Sequence, residues 1–206
     1  MGYKTFALMN IAIVGAGKVS EVLAQALALA EHEIFLATVR DNDPVSEYIL
    51  DEFTNIHLAT IAHAADVADI IILATEAEEV REAAYLLDDV RRKVIIDATA
   101  VLTEQGSTIN TVNAIKAITG SMHVVKCYNN TGYHHPLFDA GAHTNDMYVA
   151  GESRKAKEIV KLLARDMELN NCHDLGGDDA IAQLENMARN WMQTVKQPAI
   201  IVKKYL

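Results

Sequence analysis

Residues 10–30 read NIAIVGAGKVSEVLAQALALA, and the reading of this stretch decides the architecture. Its first five residues are apolar enough for a strand covered on both faces. Gly15 and Gly17 then interrupt the run, and from Lys18 onward apolar residues recur at helical spacing. A strand that turns sharply on glycine into a helix brings the first helical N–H groups, which have no partners inside the helix, to one point. The helix dipole adds partial positive charge there, so the turn is suited to phosphate. Gly15 allows the turn, and Gly17 lets the backbone approach a pyrophosphate without a Cβ in the way. Ala16, Lys18 and Val19 complete the loop and the first helical turn. Lys18 either adds charge beside the phosphates or stays solvated. GAGKVS follows G-x-G-x-x-[small], with Ser20 where a third glycine would serve close packing of helix on strand.

Outward from this unit, β-type runs alternate with helical ones. Strands are expected at 10–14, 33–37, 55–60, 69–74, 93–97, 123–126, 146–150 and 172–174. Helices are expected at 18–30, at 43–53 behind an Asp43-Pro44 start, and at 75–88 behind a Thr75…Glu78 capping box. Further helices are expected at 107–118, at 152–167 and from about 178 onward. This order predicts an α/β fold: a doubly wound, mostly parallel sheet with right-handed crossovers and a long C-terminal helix. One domain over residues 1–206 is expected, with 1–9 a short N-terminal extension and about 178–206 the terminal helix. No strand follows that helix, and Leu184, Met187, Trp191, Met192 and Val195 give it an apolar side. A homodimer through this side is the expected assembly.

Of 206 residues, half are hydrophobic, and 28 acidic against 18 basic side chains give a net charge of −10. That balance argues against general binding to nucleic acid or anionic membrane. No apolar run reaches the roughly 20 residues of a membrane-spanning helix, and the N-terminus lacks a signal-peptide layout. A cytoplasmic protein is expected. Cys127 and Cys172 lie far apart with no C-x-x-C pair, which reads as two reduced thiols. Adjacent His134 and His135 diverge, so no metal site is expected. His63, His143 and His173 read as surface or satisfied core residues.

The end of the second strand selects the nucleotide. An acid there would take a ribose 2′-OH, whereas an arginine accommodates a 2′-phosphate. Here the strand runs into Thr38-Val39-Arg40, a neutral hydroxyl and a guanidinium able to grip phosphate bidentately. Asp41 lies further out. NADP is therefore expected over NAD. Ala74 and Thr75, at the end of the fourth run, should pass near the ribose and nicotinamide. Glu76, Glu78 and Glu79 add acid at the following turn, which repels phosphate and leaves the pyrophosphate to Gly15–Gly17. In KCYNNTGYHHPLF (126–138), Asn129 could bond a carboxamide or ring edge, and Tyr128 and Tyr133 could line a second pocket.

Together these places resemble the NADP oxidoreductase family that depends on the deazaflavin coenzyme F420. The resemblance rests on NIAIVGAGKVSEVLAQALA, DIIILATEAEEV, HVVKCYNN and MYVAGESRKAKEIVKLLARDMELNNCHDLGG. It implies a Rossmann NAD(P)-binding protein with NADP at Gly15–Gly17, and Thr38 and Arg40 near the 2′-phosphate. It also implies hydride transfer to a second planar cofactor, deazaflavin or flavin. Such transfer needs orientation and dryness rather than a protein acid or base, so no catalytic residue is assigned. The chain departs from the family with Thr75-Glu76 after the fourth run and Ala100-Val101 after the fifth. A non-catalytic NADP(H) sensor is the alternative reading. A small imine or carbonyl reductase is a third, with Tyr128, Tyr133 or His134 as proton donor.

Overall fold

The strand expected at 10–14 forms over Asn10–Val14 (β1), with Ile11 and Ile13 facing one side of the sheet and Ala12 and Val14 the other. In the computed structural model, residues 8–40, 47–99, 110–129, 146–169 and 171–196 are described. The elements after β1 are α1 (Lys18–Leu29), β2 (Glu33–Ala37), α2 (Glu47–Glu52), β3 (Ile56–Leu58) and α3 (Ile61–Val67). Then come β4 (Ile70–Leu73), α4 (Val80–Leu86), β5 (Val94–Asp97), α5 (Thr111–Thr119) and β6 (Val124–Asn129). The chain closes with β7 (Asp146–Ala150), α6 (Arg154–Asp166), β8 (Asn171–Asp174) and α7 (Ile181–Lys196), a short 3-10 turn at Asp178–Ala180 leading into α7.

The strands form one eight-stranded sheet in the order β3-β2-β1-β4-β5-β6-β7-β8. All neighbours are parallel except β6 and β7. Side chains alternate along each strand and build two cores. On one face, Ile11, Ile34, Ile72 and Ile96 pack under α1, α2 and α6. On the other, Val14, Ile71, Leu73 and Ile95 pack under α3, α4, α5 and α7. Each large aliphatic chain buried this way stabilises the fold by about 1.5–3 kcal/mol. The two covered faces make the sheet doubly wound. The strand order reverses beside β1, whose neighbours β2 and β4 leave on opposite sides, and ligands of such sheets bind at that reversal.

Four expectations need correction. A helix, α3, lies where only a connection was expected. Thr60 caps it by accepting the His63 N–H at 3.2 Å, and Ile61, Ala64, Ala65 and Ala68 give it a buried stripe. Thr75 caps no helix. Its hydroxyl donates to the Glu76 carbonyl at 3.1 Å, a tight turn follows, and α4 starts only at Val80. Strand β6 runs three residues past Lys126, because β7 pairs with it antiparallel to Asn129. Finally, Leu184 is no partner surface: it is 1% exposed and packs beneath α7 into the chain's own core.

Candidate functional site

The carboxyl ends of β1, β2 and β4 converge on Gly15. Its N–H donates to the Ala37 carbonyl at 2.8 Å, at the end of β2. On the other side its φ is +148°, and a Cβ there would stand 2.3 Å from the Ala74 carbonyl oxygen, at the end of β4. Only glycine fits between these two strand ends. Gly17 is a different case. Its backbone is extended (φ −88°, ψ 176°) at the head of α1, no side chain caps that helix, and a Cβ on Gly17 would meet nothing within 4 Å. The first-turn N–H groups of α1 are thus left without a side-chain cap, with helix-dipole charge behind them. This cradle fits a pyrophosphate. Ser20 is 1% exposed, and its hydroxyl donates to the Gly17 carbonyl at 2.6 Å. The serine thus fixes the turn that a third glycine would only have allowed to pack. Lys18 pairs with Glu21 at 3.4 Å on the surface, while Ala16 and Val19 flank the turn.

Thr38 and Arg40 follow β2 directly. The Thr38 hydroxyl donates to the Arg40 carbonyl at 2.8 Å and sets this turn. The Arg40 guanidinium lies 2.7 Å from the Glu79 carboxylate, across the sheet end. Ala74 and Thr75 are both buried next to Gly15. The structure thus brings together Gly15–Val19, Thr38, Arg40, Ala74 and Thr75. Asn129 ends β6, with β4 and β5 between it and β1, and it is not in that group. The side chains of Tyr128, Asn129, Trp191, Met192 and Val195 lie outside the described residues, as do Asp41, the Asp43-Pro44 start, Ala100-Val101, Tyr133, His134, His135 and His143.

A buried ionic cluster beside this site went unnoticed in the sequence. Asp97 closes β5 and is wholly buried; Lys126 lies opposite it on β6. The Lys126 ammonium donates to Asp97 at 3.2 Å, to the Thr99 carbonyl at 2.6 Å and to Glu185 of α7 at 2.8 Å. Asp97 also accepts the Thr99 N–H at 3.0 Å, the Thr99 hydroxyl at 2.6 Å and the Thr111 hydroxyl. This network fixes the chain leaving β5, anchored next to the site by the Ala98 N–H donating to Leu73 at 2.8 Å. A sequence signal was available: Asp97 ends the otherwise apolar strand VIID, and Lys126 interrupts the apolar start of VVKCYN.

The remaining candidates fall elsewhere. His173 donates toward Asp146 at 3.0 Å and stacks on Tyr148 at the β7–β8 edge. His63 meets Phe35 edge-on at 6.3 Å. Burial pushes the Cys127 thiol well above its ordinary value, and the Cys172 thiol up to about 11. Both cysteines are free. Among the described residues no group of three His, Cys, Asp or Glu side chains is placed to hold a metal, and no helix is long and apolar enough to cross a membrane.

Residues 10–101 match the family described as NADP oxidoreductase coenzyme F420-dependent. No curated protein matches the sequence. Among solved structures, a protein of Arthrobacter sp. FB24, provisionally described as an F420-dependent NADP-reductase, superposes with a TM-score of 0.74 at 25% identity, covering 90% of this chain and 92% of that one. An imine reductase from Pseudomonas sp. gives 0.67 at 16% identity over 92% and 64% of the two chains. A pyrroline-5-carboxylate reductase from Coxiella burnetii gives 0.66 at 12% over 92% and 67%. The last two likenesses are of fold. Residues 10–101, under half of the chain, are thus similar to the NADP oxidoreductase, coenzyme F420-dependent family, and the likeness supports an oxidoreductase on a Rossmann-type sheet.

Proposed function

We propose that the chain binds NADP(H) across the β1–α1 turn and exchanges a hydride with a second planar redox cofactor, deazaflavin or flavin. The observation that carries this reading is the contrast between the two glycines. Gly15 is wedged between the ends of β2 and β4, while Gly17 opens the head of an uncapped helix. Backbone N–H groups of Gly17, Lys18 and Val19 would hold the pyrophosphate, with Ala16 leaving room at the turn. Thr38 and Arg40 would take the 2′-phosphate. Ala74 and Thr75 would wall the ribose and nicotinamide, and Asn129 the far edge of the second cofactor. The nicotinamide supplies the hydride when bound. The protein's part is to orient the two rings and keep water out. The Asp97–Lys126–Glu185 network supports this by fixing Ala98 and Thr99, directly after β5. The same reading takes residues 1–206 as one nucleotide-binding domain, acting in the cytoplasm as a homodimer through the outer part of α7.

A paired titration with NADPH and NADH, followed by nicotinamide fluorescence and repeated on Arg40→Ala, tests the core of the proposal. The expected result is tighter binding of NADPH, with the preference lost in the variant. Binding of neither nucleotide would overturn the function. An acceptor screen with deazaflavin and flavin then decides the second substrate.

A further inference from the structure

The Arg40–Glu79 pair occupies an unusual place. Arg40 follows β2, and Glu79 is the last residue before α4, which follows β4. Strands β2 and β4 are the two neighbours of β1, so their axes lie about 10 Å apart. The ion pair therefore reaches across the end of β1, over the turn that carries Gly15 and Gly17. Glu79 stands at the capping position of α4 yet makes no capping hydrogen bond; its carboxylate is turned to Arg40 instead. The two partners are unequally held. The Glu79 side chain is 18% exposed, whereas that of Arg40 is 67% exposed. The acid is the more buried partner and the arginine the more exposed one. Glu76 and Glu78 precede Glu79 in the same connection, which therefore carries three acids.

We infer that Glu79 is a specificity-determining residue, a half-buried carboxylate that competes with the nucleotide's 2′-phosphate for the Arg40 guanidinium. The inference rests on the nucleotide-binding reading above and adds to it the control of phosphate selectivity. A 2′-phosphate carries nearly two negative charges. It must draw Arg40 off Glu79 and then sit near that acid. A nucleotide with a free 2′-OH meets neither cost. Glu79 thus weakens NADP(H) binding selectively and keeps the preference over NAD(H) moderate. Removing its charge removes that competitor for Arg40.

The test uses the full chain with NADPH and NADH titrated by fluorescence, and with 2′,5′-ADP and 5′-AMP as competitors that need no redox partner. Glu79→Gln is expected to tighten NADPH and 2′,5′-ADP about three- to ten-fold, the range set by releasing one exposed ion pair and one like-charge contact. NADH and 5′-AMP should change less than about two-fold by the same reasoning. In an Arg40→Ala background, Glu79→Gln should give a much smaller gain, because the carboxylate acts through the arginine. Melting temperatures of the variants check that each is folded. Equal changes for phosphorylated and unphosphorylated ligands, or a full gain without Arg40, would overturn the inference while leaving the nucleotide site intact. If the wild-type chain bound neither nucleotide, the functional reading itself would fail and this inference with it.

Discussion

Lys126→Met is the sharpest test of how the site wall is built. The lysine is 1% exposed and its ammonium serves Asp97, Glu185 and the Thr99 carbonyl. Methionine matches the length of the aliphatic stem but leaves two buried carboxylates with no cation. Breaking a buried pair by removing one partner costs about 3–5 kcal/mol, mostly as the penalty of the charge left behind. Asp97 keeps three donors, from Thr99 and Thr111, whereas Glu185 has no other partner among the described residues, so most of the cost falls on Glu185. At about 2–4 °C per kcal/mol for a domain of this size, the melting temperature should drop by about 10 °C. Adding Glu185→Gln should restore part of the loss at pH 7. Urea titrations at pH 7, with unchanged m, provide the assay. A loss under about 1 kcal/mol, or no recovery in the double variant, would refute the ionic account of this wall.

The two glycines should separate folding from binding. Gly15→Ala drives a Cβ to 2.3 Å from the Ala74 carbonyl oxygen at a φ of +148°, and should cost about 3 kcal/mol or more in denaturant titrations. Gly17→Ala meets open space, so stability should stay within about 0.5 kcal/mol while NADPH affinity falls at least about ten-fold by obstruction of the pyrophosphate. Ser153 caps α6 through the Ala156 N–H at 3.2 Å, and Ser153→Ala should cost about 1 kcal/mol by thermal melt. Burial raises the Cys172 thiol to about 11, above its ordinary 9.0. Its neutral form is the one the fold favours, so that contribution is whole below pH 9 and is lost as pH rises from 9 towards 11. Alkylation of native protein should accordingly be slow at pH 8 and accelerate across that range.

Much of the fold was legible because its signals are local. An apolar strand, a glycine break and a helical period within residues 10–30 fixed β1, the turn and α1 to within a residue at the helix end. Strands β2 and β7 were equally plain, as short apolar runs between turn residues. The helix α3 was missed although its cap and its Ile61, Ala64, Ala65 and Ala68 stripe were present, because seven residues give the helical period little room to show. Thr75 misled for the opposite reason. The capping-box pattern was correct as a pattern, but the connection after β4 makes an extra turn and places α4 further on.

The sequence by itself determined the winding order, the two-faced burial of the sheet and the position of a glycine turn at the head of a helix. These depend on periodicity and on backbone conformations that few residues adopt. Only the tertiary structure decided what the charged residues do. Arg40 and Glu79 are far apart in the chain and meet because β2 and β4 flank one strand. Asp97, Lys126 and Glu185 meet because Asp97 and Lys126 are paired on neighbouring strands that the last helix covers. Electrostatic pairing depends on distance and burial between groups that the sequence does not order, so it is settled only when the sheet has closed and the helices have been laid across it.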